Sequence, residues 1–177
     1  MTRVAAIAAA LLALACAAPI RTELLETDVP EKIEKLAVVG MRADPLLGVE
    51  IPRDALGIVT ARIVAALGSE THLRVVEPAD SDAILTGVIR RYRERDGSST
   101  GVRRPASVWF ALELRDASGR VLWTGTYEET QAALSEDAGS FPRAWERGFR
   151  WVTAEDLADS GARMLVRELA REVETWS

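Results

Sequence analysis

Apolar and polar positions divide the chain into a leader, an irregular stretch and a series of folded elements. Residues 4–15 (VAAIAAALLALA) are twelve apolar positions without a charge. A helix of that length spans roughly 18 Å, short of a hydrocarbon layer of about 30 Å. Arg3 precedes it and small residues close it, the pattern of an export signal. The alternative is a buried N-terminal helix, which would need apolar cover on every side. Residues 17–34 have prolines at 19 and 30, mixed charges and no period, and read as a tether.

Folded pattern begins near Lys35. Residues 36–41 (LAVVGM) are an apolar run typical of a buried strand. Residues 44–52 carry two prolines and a glycine and form a loop. Leu56, Val59, Ile63 and Leu67 recur every three or four positions, predicting a helix over 53–67 that ends at Gly68. Residues 73–77 (LRVVE) are a second strand, so strand, helix and strand predict a right-handed βαβ unit. Three longer segments follow. Residues 83–93 start apolar and end basic, and 96–106 are a polar loop. Residues 107–115 put Val108, Phe110, Leu112 and Leu114 on one face. After a tight turn at 116–119, residues 120–128 return antiparallel, with Val121, Trp123, Gly125 and Tyr127 sharing a face. Gly125 in mid-strand signals a bulge or a close backbone approach.

The last element has the clearest start signal. Thr153 and Asp156 form a capping-box pair, and Val152 and Leu157 stand at the positions of a hydrophobic staple. Ala158, Ala162, Leu165, Leu169 and Val173 then mark the buried stripe of a helix of about twenty residues. Arg163, Arg167, Glu168, Arg171 and Glu172 take its solvent side. The order β-α-β-β-β-α predicts a single α/β sandwich: a mixed sheet of about five strands with helices packed on it.

Composition narrows the chemistry. The chain has 177 residues, 22 basic and 27 acidic, for a net charge of −5. That argues against nucleic acid as a bulk partner. One histidine and one cysteine exclude an intrachain disulfide and most zinc sites or catalytic dyads. His72 lacks a nucleophile motif around it and reads as a strand-end or surface residue. Glycines 97 and 101 lack the lysine and helix of a phosphate loop, so no cofactor is expected. Paired carboxylates can hydrolyse glycosides without histidine, and Glu77, Asp80 and Asp82 are the candidates for a periplasmic hydrolase.

Two segments suggest contact surfaces. Arg90, Arg91 and Arg93, with Arg103 and Arg104 across a loop, make one end of the central strands basic. That end suits lipid headgroups, lipopolysaccharide phosphates or an acidic partner. It equally suits a solvated strand end neutralised in part by Glu94 and Asp96. Residues 141–151 (FPRAWERGFRW) hold four of the ten aromatic residues. Phe141, Trp145 and Phe149 form one stripe if helical, followed by Trp151, with Arg143 and Arg147 interleaved. The stripe reads either as a membrane or protein contact or as a satellite cluster under the final helix.

The segment Ala13-Leu14-Ala15-Cys16 resembles the lipobox of bacterial lipoproteins, departing at Ala13, where the pattern prefers Leu. The resemblance implies cleavage before Cys16 and lipidation of that cysteine. Ala17, which is not Asp, implies sorting to the outer membrane. The chain then divides into a signal peptide at 1–15, a lipid-anchored tether at 16–34 and a periplasmic α/β domain at 35–177. The segments LAVVGM at 36–41, RVVEPADSDAILTGVI at 74–89 and FALELRDASGRVLWTG at 110–125 resemble a group of periplasmic proteins. That group includes the curli-export and Pel-export lipoproteins, the lipoprotein activators of penicillin-binding proteins and the amino-terminal domain of TolB. The resemblance implies a non-enzymatic part in envelope assembly, export or adaptor work, through an envelope partner or self-association. An accessory lipoprotein of lipopolysaccharide assembly is the alternative within the same compartment.

Overall fold

The three segments with the strongest alternation form the centre of the sheet. The structure, a computed structural model, describes residues 19–25, 32–48, 50–98, 101–131 and 152–176. In chain order the elements are β1 (Ile20–Leu24), β2 (Lys35–Ala43), α1 (Arg53–Glu70), β3 (Arg74–Val75), a 3-10 turn (Pro78–Asp80), β4 (Ala83–Arg93), β5 (Asp96–Ser98), β6 (Gly101–Arg104), β7 (Ser107–Asp116), β8 (Val121–Thr130) and α2 (Ala154–Thr175). Six strands make one mixed sheet in the order β1-β8-β7-β4-β2-β3. The β2–β4 and β2–β3 pairs are parallel and the others antiparallel.

Period two explains which face is covered. Leu85, Ile89, Val108, Phe110, Leu112, Leu114, Trp123 and Tyr127 are buried on the face that meets the helices. Helix α1 buries Ala55, Val59, Ile63, Ala66 and Leu67, and α2 buries Leu157, Ala158, Ala162, Leu165, Leu169 and Val173. The predicted stripe of α2 is therefore its buried face. Its start is also as expected: Thr153 Oγ1 accepts from Asp156 N–H, and Asp156 Oδ2 accepts from Thr153 N–H, both at 3.0 Å. Val152 and Leu157 are both buried beside that cap.

Two glycines let α2 press onto β8. A Cβ added at Gly161 would lie 2.4 Å from the Tyr127 ring. One added at Gly125 would lie 2.4 Å from the Trp123 ring and 3.0 Å from Leu165. The missing side chains are what allow helix and strand to approach at these points.

The structure corrects four sequence expectations. Residues 20–24, read as tether, form edge strand β1, antiparallel to β8 from Ile20↔Tyr127 to Leu24↔Trp123. This strand brings the sheet to six. Helix α1 does not stop at Gly68. It continues to Glu70, whose carboxylate is held by Arg163 and Arg167 of α2, and Thr71 Oγ1 donates to Leu67 O in the last turn. The polar loop over 96–106 contains the small hairpin β5–β6. Finally, β8 shifts register between Trp123 and Val121, so Leu122 is buried while Val121 is only partly so. One extra residue in a strand reverses the alternation beyond it.

Candidate interaction surface

The basic end of β4 is built on a register shift. Between Ile89 and Arg91 the pairing with β7 slips by one residue, leaving Arg90 without a cross-strand partner. In a regular strand, neighbours point to opposite faces. Here both guanidinium groups reach the same ring, at 5.1 Å (Arg90) and 5.6 Å (Arg91) from the centroid of Trp109. Both are within cation–π range of the indole.

Each of these two arginines also has an acidic partner. Arg90 Nε donates to Asp44 Oδ2 at 3.0 Å, and Arg91 donates to Glu128 Oε1 and Ser107 Oγ at 3.3 Å. The Leu46 N–H and then Arg90 hold the Asp44 carboxyl below the usual carboxylate range. Thus Arg90 and Arg91 lock β4 to the loop after β2 and to β8. Arg93, Arg103 and Arg104 are exposed, with Arg104 opposite Asp96 in the β5–β6 hairpin. The five candidate arginines therefore divide into two that hold the fold and three that face solvent. Cys16 and the aromatic segment with Phe141, Arg143, Trp145, Arg147, Phe149 and Trp151 lie outside the described residues.

Asp82, one of the three candidate carboxylates, is structural. Its Oδ2 accepts from Glu34 N–H at 3.0 Å and Lys35 N–H at 2.8 Å, fixing the start of β2. Those backbone bonds lower its pKa. Glu77 precedes the 3-10 turn that contains Asp80, and Asp80 N–H donates to the Glu77 backbone carbonyl. His72 lines a recess of about 350 Å³ with Ile33, Leu73, Arg74 and Val173. The helix-free face of the sheet carries a concavity of about 430 Å³, bordered by Arg42, Asp44, Thr86, Glu113 and Thr126. Its acids are engaged with arginines, Asp44 with Arg90 and Glu113 with Arg115. Among the described residues, no three His, Cys, Asp or Glu side chains gather as a metal site. No helix among them is long and apolar enough to cross a membrane.

Sequence reasoning missed the partners that link distant elements. Arg62 of α1 pairs with Glu155 of α2, and Glu70 receives both Arg163 and Arg167. It also missed β1, although the alternation Ile20-Arg21-Thr22-Glu23-Leu24 was available as a signal.

These features define an α/β sandwich with helices on one sheet face. No family model and no curated protein sequence matches the chain. Solved structures do share the fold. Two structures of the PelC dodecamer from Paraburkholderia phytofirmans superpose with TM-scores of 0.57 and 0.55, at 19% and 18% identity. They cover 85% and 84% of this chain and 95% and 96% of theirs. Protein XCC0632 from Xanthomonas campestris, of the DUF330 family model, superposes with a TM-score of 0.50 at 14% identity, covering 82% of this chain and 87% of its own.

Proposed function

We propose that the chain is a non-enzymatic lipoprotein of the bacterial outer membrane, anchored through Cys16, which serves as an assembly, export or adaptor component of the envelope. The observation that carries this reading is the charge-free apolar run at 4–15 ending on the only cysteine. The sandwich fold shared with the PelC dodecamers supports it and favours self-association as the mode of work. Asp82, one of the three candidate carboxylates, holds the backbone at the start of β2, which fits a structural role better than a hydrolase. The aromatic and arginine pattern of 141–151 is the candidate contact surface. On that reading Trp145→Ala weakens membrane or partner binding by about 2 kcal/mol. As a core residue it would instead lose about 3–5 kcal/mol of stability.

Affinity purification of the full chain from detergent-solubilised envelopes, with mass measured by light scattering, tests the reading. The expected result is a defined oligomer or a stoichiometric complex with an envelope protein. A detergent-stable monomer without partners would contradict it.

A further inference from the structure

Edge strand β1 fixes where the chain enters the sheet. Glu128 N–H donates to Pro19 O at 2.8 Å, so the described chain begins beside the last residues of β8. Antiparallel pairing puts Pro19 at the end of the sheet where β4 finishes and β7 starts. Cys16 is only four residues before Ile20. A fully extended chain of that length covers about 14 Å. A lipid held by Cys16 therefore keeps this end of the sheet within reach of the headgroup layer.

The side chains at that end carry both signs of charge. Most of its acids have partners within the fold: Asp44 has Arg90, Glu128 has Arg91, Glu155 has Arg62, Glu94 has the Ala154 N–H and Glu129 has the Tyr127 hydroxyl, while Asp54 at the start of α1 is exposed. Asp96 stands opposite Arg104. Arg93, Arg103 and Arg104 are exposed there, on the end of β4 and on the β5–β6 hairpin appended to it. Guanidinium groups match phosphate oxygens with paired hydrogen bonds, and arginines near an anionic leaflet are attracted to it.

We propose that the end of the sheet bearing Arg93, Arg103 and Arg104 lies against the anionic phosphate headgroups of the bilayer that holds the Cys16 anchor. This rests on the anchor reading above. The opposite end, with the Asp116–Gly119 turn and the recess beside His72, then faces away from the membrane.

The test uses the full lipidated chain in phosphatidylcholine vesicles, with and without phosphatidylglycerol. A fluorophore is attached through Asp96→Cys in one sample and through Ala117→Cys in another, and quenched by a nitroxide on the lipid headgroup. The proposal expects strong quenching at position 96, little at 117, and a gain at 96 when phosphatidylglycerol is present. The combined variant R93Q/R103Q/R104Q should lose that gain. Equal quenching at both positions, stronger quenching at 117, or an unchanged gain in the combined variant would overturn it. Acylation of Cys16 is scored by mass on the same preparations. A lipidated protein with the reversed pattern condemns the orientation alone, and an unlipidated Cys16 condemns the anchor and the orientation together.

Discussion

Trp109 and Phe110 are neighbours in β7 and face opposite sides of the sheet. Phe110 is completely buried under the helices, with its ring 5.5 Å from that of Tyr127. Trp109 is half-buried beneath two arginines. The covered side depends on shape, since its contacts are apolar and close-packed. The other side depends on charge, since its contacts are ion pairs open to water and salt. A protein built this way has a close-packed layer under the helices and a polar layer tied together by arginine contacts.

Substitutions at the pair separate the two sides most sharply. Phe110→Ala should cost about 3–5 kcal/mol of unfolding free energy, as fully buried aromatic truncations do. Trp109→Ala should cost only about 1–2 kcal/mol, from partial burial and the cation–π contacts. Urea denaturation of both variants checks this, and equal losses would end the distinction. Next in size is the helix–strand contact. Gly161→Val brings a Cβ to 2.4 Å from the Tyr127 ring and should cost about 3 kcal/mol, read from the same titrations. A neutral result would mean that α2 does not sit as described.

Much of the covered side was legible in the sequence, because one strong rule governed each element. Alternation marked Val108, Phe110, Leu112 and Leu114, and spacing of three and four marked the buried stripe of α2. The capping box fixed that helix to its first residue. Thr153→Ala should accordingly lower stability by about 1 kcal/mol, measured by thermal or denaturant unfolding. The rest was hidden for physical reasons. Five residues of β1 carry too little pattern to outweigh the prolines around them, and their partners in β8 are about a hundred positions away. Gly68 looked like a helix end, but contacts from α2 hold the turn beyond it. On the polar side the arginines could be named, yet Asp44 and Glu128, 46 and 37 positions from their partners, could not be assigned to them.

The smallest effect at neutral pH belongs to Tyr92, a buried core residue near the end of β4. Burial first, then the charges of Glu94, Glu155 and Asp54, push its pKa up to about 12 from the ordinary 10. The folded state thus keeps its proton where the unfolded state loses it. The resulting stability is fully present below pH 10 and is lost as pH rises from 10 to about 12. Tyr92→Phe should show a shallower fall in denaturation midpoint across that window. Parallel curves for the two proteins would show that the phenol titrates normally.

The central claim is that this sandwich is held to the outer membrane by a lipid on Cys16. Metabolic labelling with a palmitate analogue, combined with fractionation, tests it most directly. The wild-type chain should carry the label and sediment with the outer membrane, while Cys16→Ser should lose the label and appear in the soluble periplasm. An unlabelled wild-type chain, or a Cys16→Ser chain that remains with the outer membrane, would contradict the account.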